Sequence, residues 1–400
     1  MNNDFHMTLI KEKAEQASRI LDEKNIDLWL TFVRESDISK DPVMDTIVGT
    51  NVTWQTAFLI DRKGNRKVIL GSLDAANMKE MGVYPEVITY VQSVKDDLLR
   101  IVKESDPQSI AINYSRNSNH ADGLTHGMYL ILQEYFSGTP YLERFVSSEG
   151  IIASLKGRKS ATEIAMMKEA VRITLEIYDE TTQFIKPGRT EKEVAAFITE
   201  QRMKRGLEAA WDIQHCPAVF TGPESAGAHA GPTDRVIEKG HLINTDFGVR
   251  VNGYCSDLQR TWYILKDDED TAPAEVQRGF DVLLGSIRNA KKELRPGKTG
   301  CEIDDAARNH ITANGYEEYM HGLGHQVGKN AHDGGAGLFP RWERYGNLPY
   351  LPIEESQVFT IEPRLYVPGH GIVTIEEMVQ VTKDGCEYLS APQEELYLVR

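Results

Sequence analysis

The sequence has little of what marks a secreted, membrane-spanning or nucleic-acid-binding chain. Cysteine is scarce: Cys216, Cys255, Cys301 and Cys386 stand far apart among 400 residues and form no paired motif. That spacing argues against a disulfide scaffold or a zinc site and fits reduced thiols in a cytoplasmic protein. No apolar run approaches the length needed to cross a bilayer, and residues 1–10 hold no apolar stretch or small-residue cleavage site. Neither a membrane span nor a signal peptide is expected. Basic runs are missing too. With a formal net charge of −15 at pH 7, the chain repels a phosphate backbone, which disfavours nucleic acid as a partner. What remains is ordinary for a globular protein, 40% hydrophobic and 26% charged residues. Four hundred residues exceed one ordinary core, so two domains are expected.

Residues 1–155 alternate helical and strand patterns and read as an α/β domain. Leu9, Ala14, Ala17, Ile20 and Leu21 mark one helix face, and 26–30 follow as a strand. Two apolar runs, 58–60 and 68–70, flank the polar turn 61–67 and predict a hairpin. Strands are also expected at 87–91 and 110–113. His120 and His126 lie in a polar stretch and read as solvated or structural. Between 147 and 159 the pattern breaks into small, polar and basic residues, which places the domain boundary there and the second domain at 156–400. Ser160 with Glu163 then forms a capping box that opens a long helix towards Pro187.

The second domain repeats itself. Ile185-Lys-Pro-Gly-Arg-Thr-Glu-Lys-Glu-Val194 matches Leu294-Arg-Pro-Gly-Lys-Thr-Gly-Cys-Glu-Ile303, and each copy runs on to a glycine, Gly206 or Gly315. Thr190 and Thr299 can each cap a helix whose Glu193 or Glu302 returns the bond. Pro-Gly-x-Thr alone is a common helix entrance, but agreement over some twenty residues reads as a duplicated helix-and-hairpin unit with a cleft on a pseudo-twofold axis. The end of a phosphate-binding loop is mimicked by Gly297-Lys298-Thr299. The glycine that motif needs five residues earlier is Lys292, so the match fails.

Three clusters carry chemistry. Residues 242–249 and 254–264 read as strands joined at Asn252-Gly253, a tight two-residue turn. That turn sets Val251 opposite Tyr254 and Gly248 opposite Asp257, which puts Asp246 and Asp257 on one face, a diagonal step apart. Two such carboxylates repel unless protonated or bridged by cations. The second cluster is His321-Gly-Leu-Gly-His325 followed by His332-Asp333; two glycines in five residues disfavour a helix and predict extended backbone. In the third, 358–362 and 372–379 read as strands around Gly369-His-Gly371. A three-residue loop there sets Glu362 opposite Glu376, whereas a two-residue loop favours Glu377. Carboxylates among Val, Ile and Phe are costly to bury unpaired.

Taken in order, Asp246, Asp257, His325, Glu362 and Glu376 resemble the five metal ligands of the pita-bread metallopeptidases, a family that includes methionine aminopeptidase, proline aminopeptidase and prolidase. The matching stretches are Asn-Thr-Asp-Phe-Gly, Cys-Ser-Asp-Leu-Gln-Arg-Thr, His-Gly-Leu-Gly-His and Ile-Glu-Pro. The resemblance implies a creatinase/prolidase-type α/β N-terminal domain followed by an α+β pita-bread catalytic domain with an internal pseudo-twofold repeat. It further implies two divalent cations, manganese foremost with cobalt or zinc as alternatives, sharing a bridging water that they acidify. Glu362 would then ligate metal and accept the proton of that water. His229, His321 and His332 match residues that bind substrate or stabilise the transition state in the proline-specific branch. An Xaa-Pro aminopeptidase or prolidase acting as a homodimer is the implied identity.

Two departures bear on substrate. Many prolidase-like members read Arg-Ile-Glu-Asp where this chain has Thr374-Ile375-Glu376-Glu377, and Glu-Pro-Gly where it has Glu362-Pro363-Arg364. Segment 340–346 sits where such enzymes often carry a substrate-contacting loop, and Arg341 or Arg344 are candidates to receive a substrate carboxylate. A same-fold metalloenzyme acting on a non-peptide substrate, as hydrolase or lyase, is the alternative. A non-catalytic binding module is disfavoured because all five ligand positions are intact.

Overall fold

The computed structural model describes residues 3–225 and 231–400. The chain divides into two compact units, Met1–Lys156 and Gly157–Arg400. Among the described residues, no helix is long and apolar enough to cross a membrane.

The first unit is a six-stranded mixed sheet. Its strands are β1 (Leu28–Val33), β2 (Thr56–Asp61), β3 (Arg66–Gly71), β4 (Glu86–Tyr90), β5 (Ile110–Ile112) and β6 (Phe145–Ser147), in the order β4-β3-β2-β1-β5-β6. β2 and β3 form the expected hairpin, with Phe58 opposite Val68. Both faces are buried, because side chains alternate along each strand. Trp29, Phe58, Ile60 and Val68 pack with Ile10, Ala14, Ala17 and Ile20 of the helix Asn3–Glu23 on one face. Leu30, Phe32, Leu59 and Ile69 pack with Leu98, Leu132 and Phe136 on the other. Where the sequence predicts a broken boundary segment, the chain forms the helix Glu149–Gly157. Burial of Ile151, Ile152 and Leu155 in the first core outweighs two glycines and a polar composition.

The second unit is built twice over. Ser160 and Glu163 close a capping box on the helix Ala161–Phe184, and the second copy opens with the helix Ala274–Glu293. Each is followed by a Pro-Gly-basic-Thr entrance and a second helix, Glu191–Lys204 or Gly300–Ala313. The entrances are tied identically. Gly188 N–H donates to Ile237 O and Gly297 N–H to Ile353 O, both at 2.9 Å; Ile237 N–H returns to Arg189 O and Ile353 N–H to Lys298 O, both at 2.7 Å.

Each half also contributes a kinked hairpin. In the first half β7 (Glu208–Ala209), β8 (Ala218–Thr221), β9 (Leu242–Phe247), β10 (Val249–Val251), β11 (Tyr254–Cys255) and β12 (Leu258–Ile264) follow one another. In the second come β13 (Val358–Ile361), β14 (Arg364–Val367), β15 (Gly371–Thr374), β16 (Glu377–Val381), β17 (Cys386–Tyr388) and β18 (Tyr397–Val399). The sequence reads 242–249, 254–264 and 372–379 each as one continuous strand, but each arm is split in two. β9 and β12 stay in one sheet while β10 leaves to pair with β7; likewise β13 pairs with β16 and β14 with β15 in separate sheets. At the first kink Gly248 is required, since a Cβ there would lie 1.9 Å from Ser256 O. The acidic residues of the site lie at or beside these kinks.

Candidate metal centre

The turn chemistry positions the first two carboxyl groups. Asn252 and Gly253 both take positive φ, 49° and 85°, as a two-residue hairpin turn demands. Val251 pairs with Tyr254, and the same register continues into β9 and β12 as Phe247 opposite Leu258 and Asp246 opposite Gln259. Asp246 and Asp257 therefore share a face. In the second hairpin a three-residue loop, 368–370, sets Val367 opposite Gly371 and Arg364 opposite Thr374. Continued through the kink, that register pairs Ile361 with Glu377 and leaves Glu362 facing Glu376. Released from the ladder at the kink, Glu376 forms an isolated bridge with Gln259 and so joins the two hairpins.

His325 comes from the extended 321–327 stretch, which runs beside β13 rather than coiling. Thr360 N–H donates to His325 O, Val327 N–H to Val358 O and Glu362 N–H to Leu323 O. The approach is close enough to need glycine at 324, where a Cβ would sit 2.0 Å from Thr360 O. The imidazole Nε2 then lies 3.2 Å from Glu362 Oε1, 3.7 Å from Asp257 Oδ2 and 4.0 Å from Glu376 Oε1. Asp257, His325 and Glu376 each offer a donor atom within 4.8 Å of the others. Asp246 joins through Gln259, whose Nε2 donates to Asp246 Oδ2 at 3.4 Å and Glu362 Oε2 at 3.3 Å.

The electrostatics are those of a cation site. Burial, then repulsion by Asp257 and Glu362, pushes the Asp246 carboxyl well above its ordinary range. Asp257 is pushed up to about 7, chiefly by burial. Burial and the surrounding carboxylates drive Glu376 up as well. Glu362 goes the other way: burial opposes its charge, but the hydrogen bond and charge of His325 prevail. Asp246 Oδ1 and Glu376 Oε2 are buried and, among the described residues, have no hydrogen-bond partner. An orphaned carboxylate oxygen costs free energy unless something positive meets it. Hard, oxygen-rich donors with one imidazole, and two spare oxygens, fit divalent cations.

The three further histidines fall differently. His321 Nδ1 donates to Gly322 O at 2.8 Å, so Nε2 is the unprotonated nitrogen; burial depresses its pKa. The exposed His332 packs edge-to-face on His325, ring centroids 4.1 Å apart. His229 lies outside the described residues. The two loop arginines are already engaged: Arg341 Nη1 donates to both oxygens of Asp305 at 2.9 and 2.7 Å, and Arg344 Nη2 donates to Met320 O at 2.8 Å while stacking on Trp342.

The model of metallopeptidase family M24 matches residues 165–383, more than half of the chain. The chain belongs to metallopeptidase family M24. It is 31% identical over 393 residues to the Xaa-Pro dipeptidase of Pyrococcus furiosus, covering 97% of this chain and 100% of the relative. Among solved structures, the Xaa-Pro dipeptidase from Bacillus anthracis aligns with a TM-score of 0.71 at 26% identity, covering 98% of this chain and all of that one. The X-Pro aminopeptidase of Thermotoga maritima aligns at 0.68 and 27% identity, covering 96% and 99%. The α/β first unit and duplicated second unit are thus those of an M24 metallopeptidase, an enzyme that works with divalent metal ions.

Several residues that support this cluster carry no local signal in the sequence. Thr374 Oγ1 donates to Gln259 Oε1 at 2.8 Å, which fixes the amide so that its N–H₂ faces the carboxylates. Glu377 is not part of the cluster. It forms a fully buried ion pair with Arg260 at 3.1 Å and accepts from Ser390 and Gln393, leaving Glu376 as the acid that joins the site. Arg308, paired with Asp304, donates to Tyr319 O and His321 O and holds the start of the histidine segment. Buried Lys159 meets Asp333 at 2.9 Å, beside His332. A helix pair four residues apart, Asp304 and Arg308, is the one of these that spacing could have revealed.

Proposed function

We propose that this M24 enzyme hydrolyses the peptide bond preceding proline, using two divalent ions, manganese by preference, held by Asp246, Asp257, His325, Glu362 and Glu376. The observation that carries the reading is the pair of orphaned buried oxygens on Asp246 and Glu376, with Glu376 clustered with the carboxyl of Asp257 and the imidazole of His325. Bound there, the cations would supply Lewis-acid polarisation of the scissile carbonyl and acidify a water. Glu362 is the proton acceptor, the one carboxyl of the four whose environment favours the anion. His332, packed edge-to-face on His325, is the donor that stabilises the tetrahedral oxyanion, with His229 proposed for the same role. His321, neutral and held through Nδ1, offers Nε2 to the substrate. The kinship with an Xaa-Pro dipeptidase and an X-Pro aminopeptidase supports the proline preference. A homodimer working in the cytoplasm completes the proposal; light scattering at micromolar concentration tests the dimer, and a monomer alone counts against it.

The decisive assay is a screen of Xaa-Pro dipeptides and longer Xaa-Pro peptides with added manganese. His332→Ala is expected to lower turnover roughly a hundredfold, the scale of one oxyanion donor, with metal content unchanged. If the metal-loaded enzyme cleaves no Xaa-Pro peptide of any length, the substrate is a non-peptide molecule of the same fold's hydrolases or lyases.

A further inference from the structure

Arg364 stands two residues beyond Glu362, and Thr374 stands two residues before Glu376. The two positions are directly opposite each other in the β14–β15 ladder. Directly opposed residues put their side chains on the same face of a strand pair. That face is identified by Thr374, whose hydroxyl bonds Gln259, whose amide in turn bonds Asp246 and Glu362. The guanidinium of Arg364 therefore stands on the side of the carboxylate cluster.

Its environment separates it from the other arginines near the site. Arg260 and Arg308 are committed to buried carboxylates, and Arg341 to Asp305. Arg364 is half-buried and, among the described residues, makes neither a hydrogen bond nor an ion pair. A partly desolvated guanidinium without an anion keeps its fork of donors available, and the group that fits that fork is a carboxylate. Beside four acidic side chains, a peptide whose own C-terminal carboxylate enters the site needs such a cation to offset repulsion.

We infer that Arg364 receives the C-terminal carboxylate of the substrate, so that the enzyme acts on dipeptides in preference to longer peptides. This rests on the peptidase reading of the metal centre above. It also assigns to Arg364 the role for which the sequence offers Arg341 and Arg344, whose side chains are tied elsewhere.

The test compares an Xaa-Pro dipeptide with its C-terminal amide and with an Xaa-Pro-Xaa tripeptide, using the full-length, manganese-loaded enzyme. The wild type is expected to show the lowest KM for the free dipeptide. Arg364→Met should raise that KM about ten- to a hundredfold, the scale of a charge-assisted bond, while leaving the amide's KM and the metal content nearly unchanged. Arg364→Lys should recover part of the loss. Equal KM values for acid and amide in the wild type, or an equal rise for both in Arg364→Met, would overturn the inference while leaving the peptidase intact. A wild type that is metal-loaded yet cleaves none of the three removes the peptidase reading and this inference with it; the two failures differ in whether the wild type is active.

Discussion

The two kinked hairpins of the second unit share an architecture and differ in what they carry. Both descend from a Pro-Gly-basic-Thr helix entrance tied down by the same pair of backbone hydrogen bonds. Both break their ladder beside the acids. The first bears two short aspartates and the neutral Gln259, and its outer strands turn away together, β10 pairing with β7. The second bears two longer glutamates, and its outer strands carry a cation, Arg364, opposite Thr374. Duplication thus supplies a symmetric cradle of carboxyl groups, and the departure from symmetry puts the guanidinium of Arg364 on a single side. On the proposed assignment, metal binding is a property of both halves and carboxylate recognition of one.

The largest expected effect tests the symmetric part. Asp257→Ala from the first hairpin and Glu376→Ala from the second should each lower activity more than about a thousandfold, since several kcal/mol of charge stabilisation go with the metal. Elemental analysis of the purified variants should show metal lost in both. Full retention in either would show that the two hairpins do not share the site. An intermediate effect falls on the link between them. Gln259→Leu and Thr374→Val are each expected to weaken metal affinity about ten- to a hundredfold, as removal of a ligand's supporting hydrogen bond does. Thr374→Ser, which keeps the hydroxyl, should stay near wild type in the same titration; an equal loss would mean that packing rather than the hydrogen bond matters. The smallest effect concerns the matched entrances. Thr190→Ala and Thr299→Ala should each cost about 1 kcal/mol in urea unfolding with metal affinity unchanged. A cost several times larger at one of them would break the equivalence of the repeats.

Much of the centre is legible in the sequence because hairpin chemistry is local. Asn252-Gly253 fixes a register, side chains alternate with period two, and the partners of Asp246 and Glu362 follow by counting. The pairing of Glu362 with Glu376 rather than Glu377 needs only the loop length at 368–370. What stays hidden is long-range. Nothing near Glu377 announces Arg260, more than a hundred residues earlier in the chain, and nothing near Arg341 announces Asp305. The kinks are invisible because Gly248 and Pro363 read as tolerable strand residues until the close approach of Ser256 O or the bridge from Gln259 to Glu376 is known. The helix Glu149–Gly157 was masked by its polar and glycine content, which burial of Ile151, Ile152 and Leu155 overrides.

The most direct test of the account is calorimetric titration of manganese into metal-free protein across pH. Burial and mutual repulsion push three of the four carboxyl groups towards protonation, with Asp257 at about 7. Such groups hold their protons below the raised pKa, so a cation must displace them there, and affinity must fall as the pH drops below about 7. The account predicts about two equivalents of metal per chain, released protons at pH 6, and loss of both in His325→Ala. A metal-free, chelated enzyme that remains fully active, or a wild type that binds no more metal than His325→Ala, would contradict it.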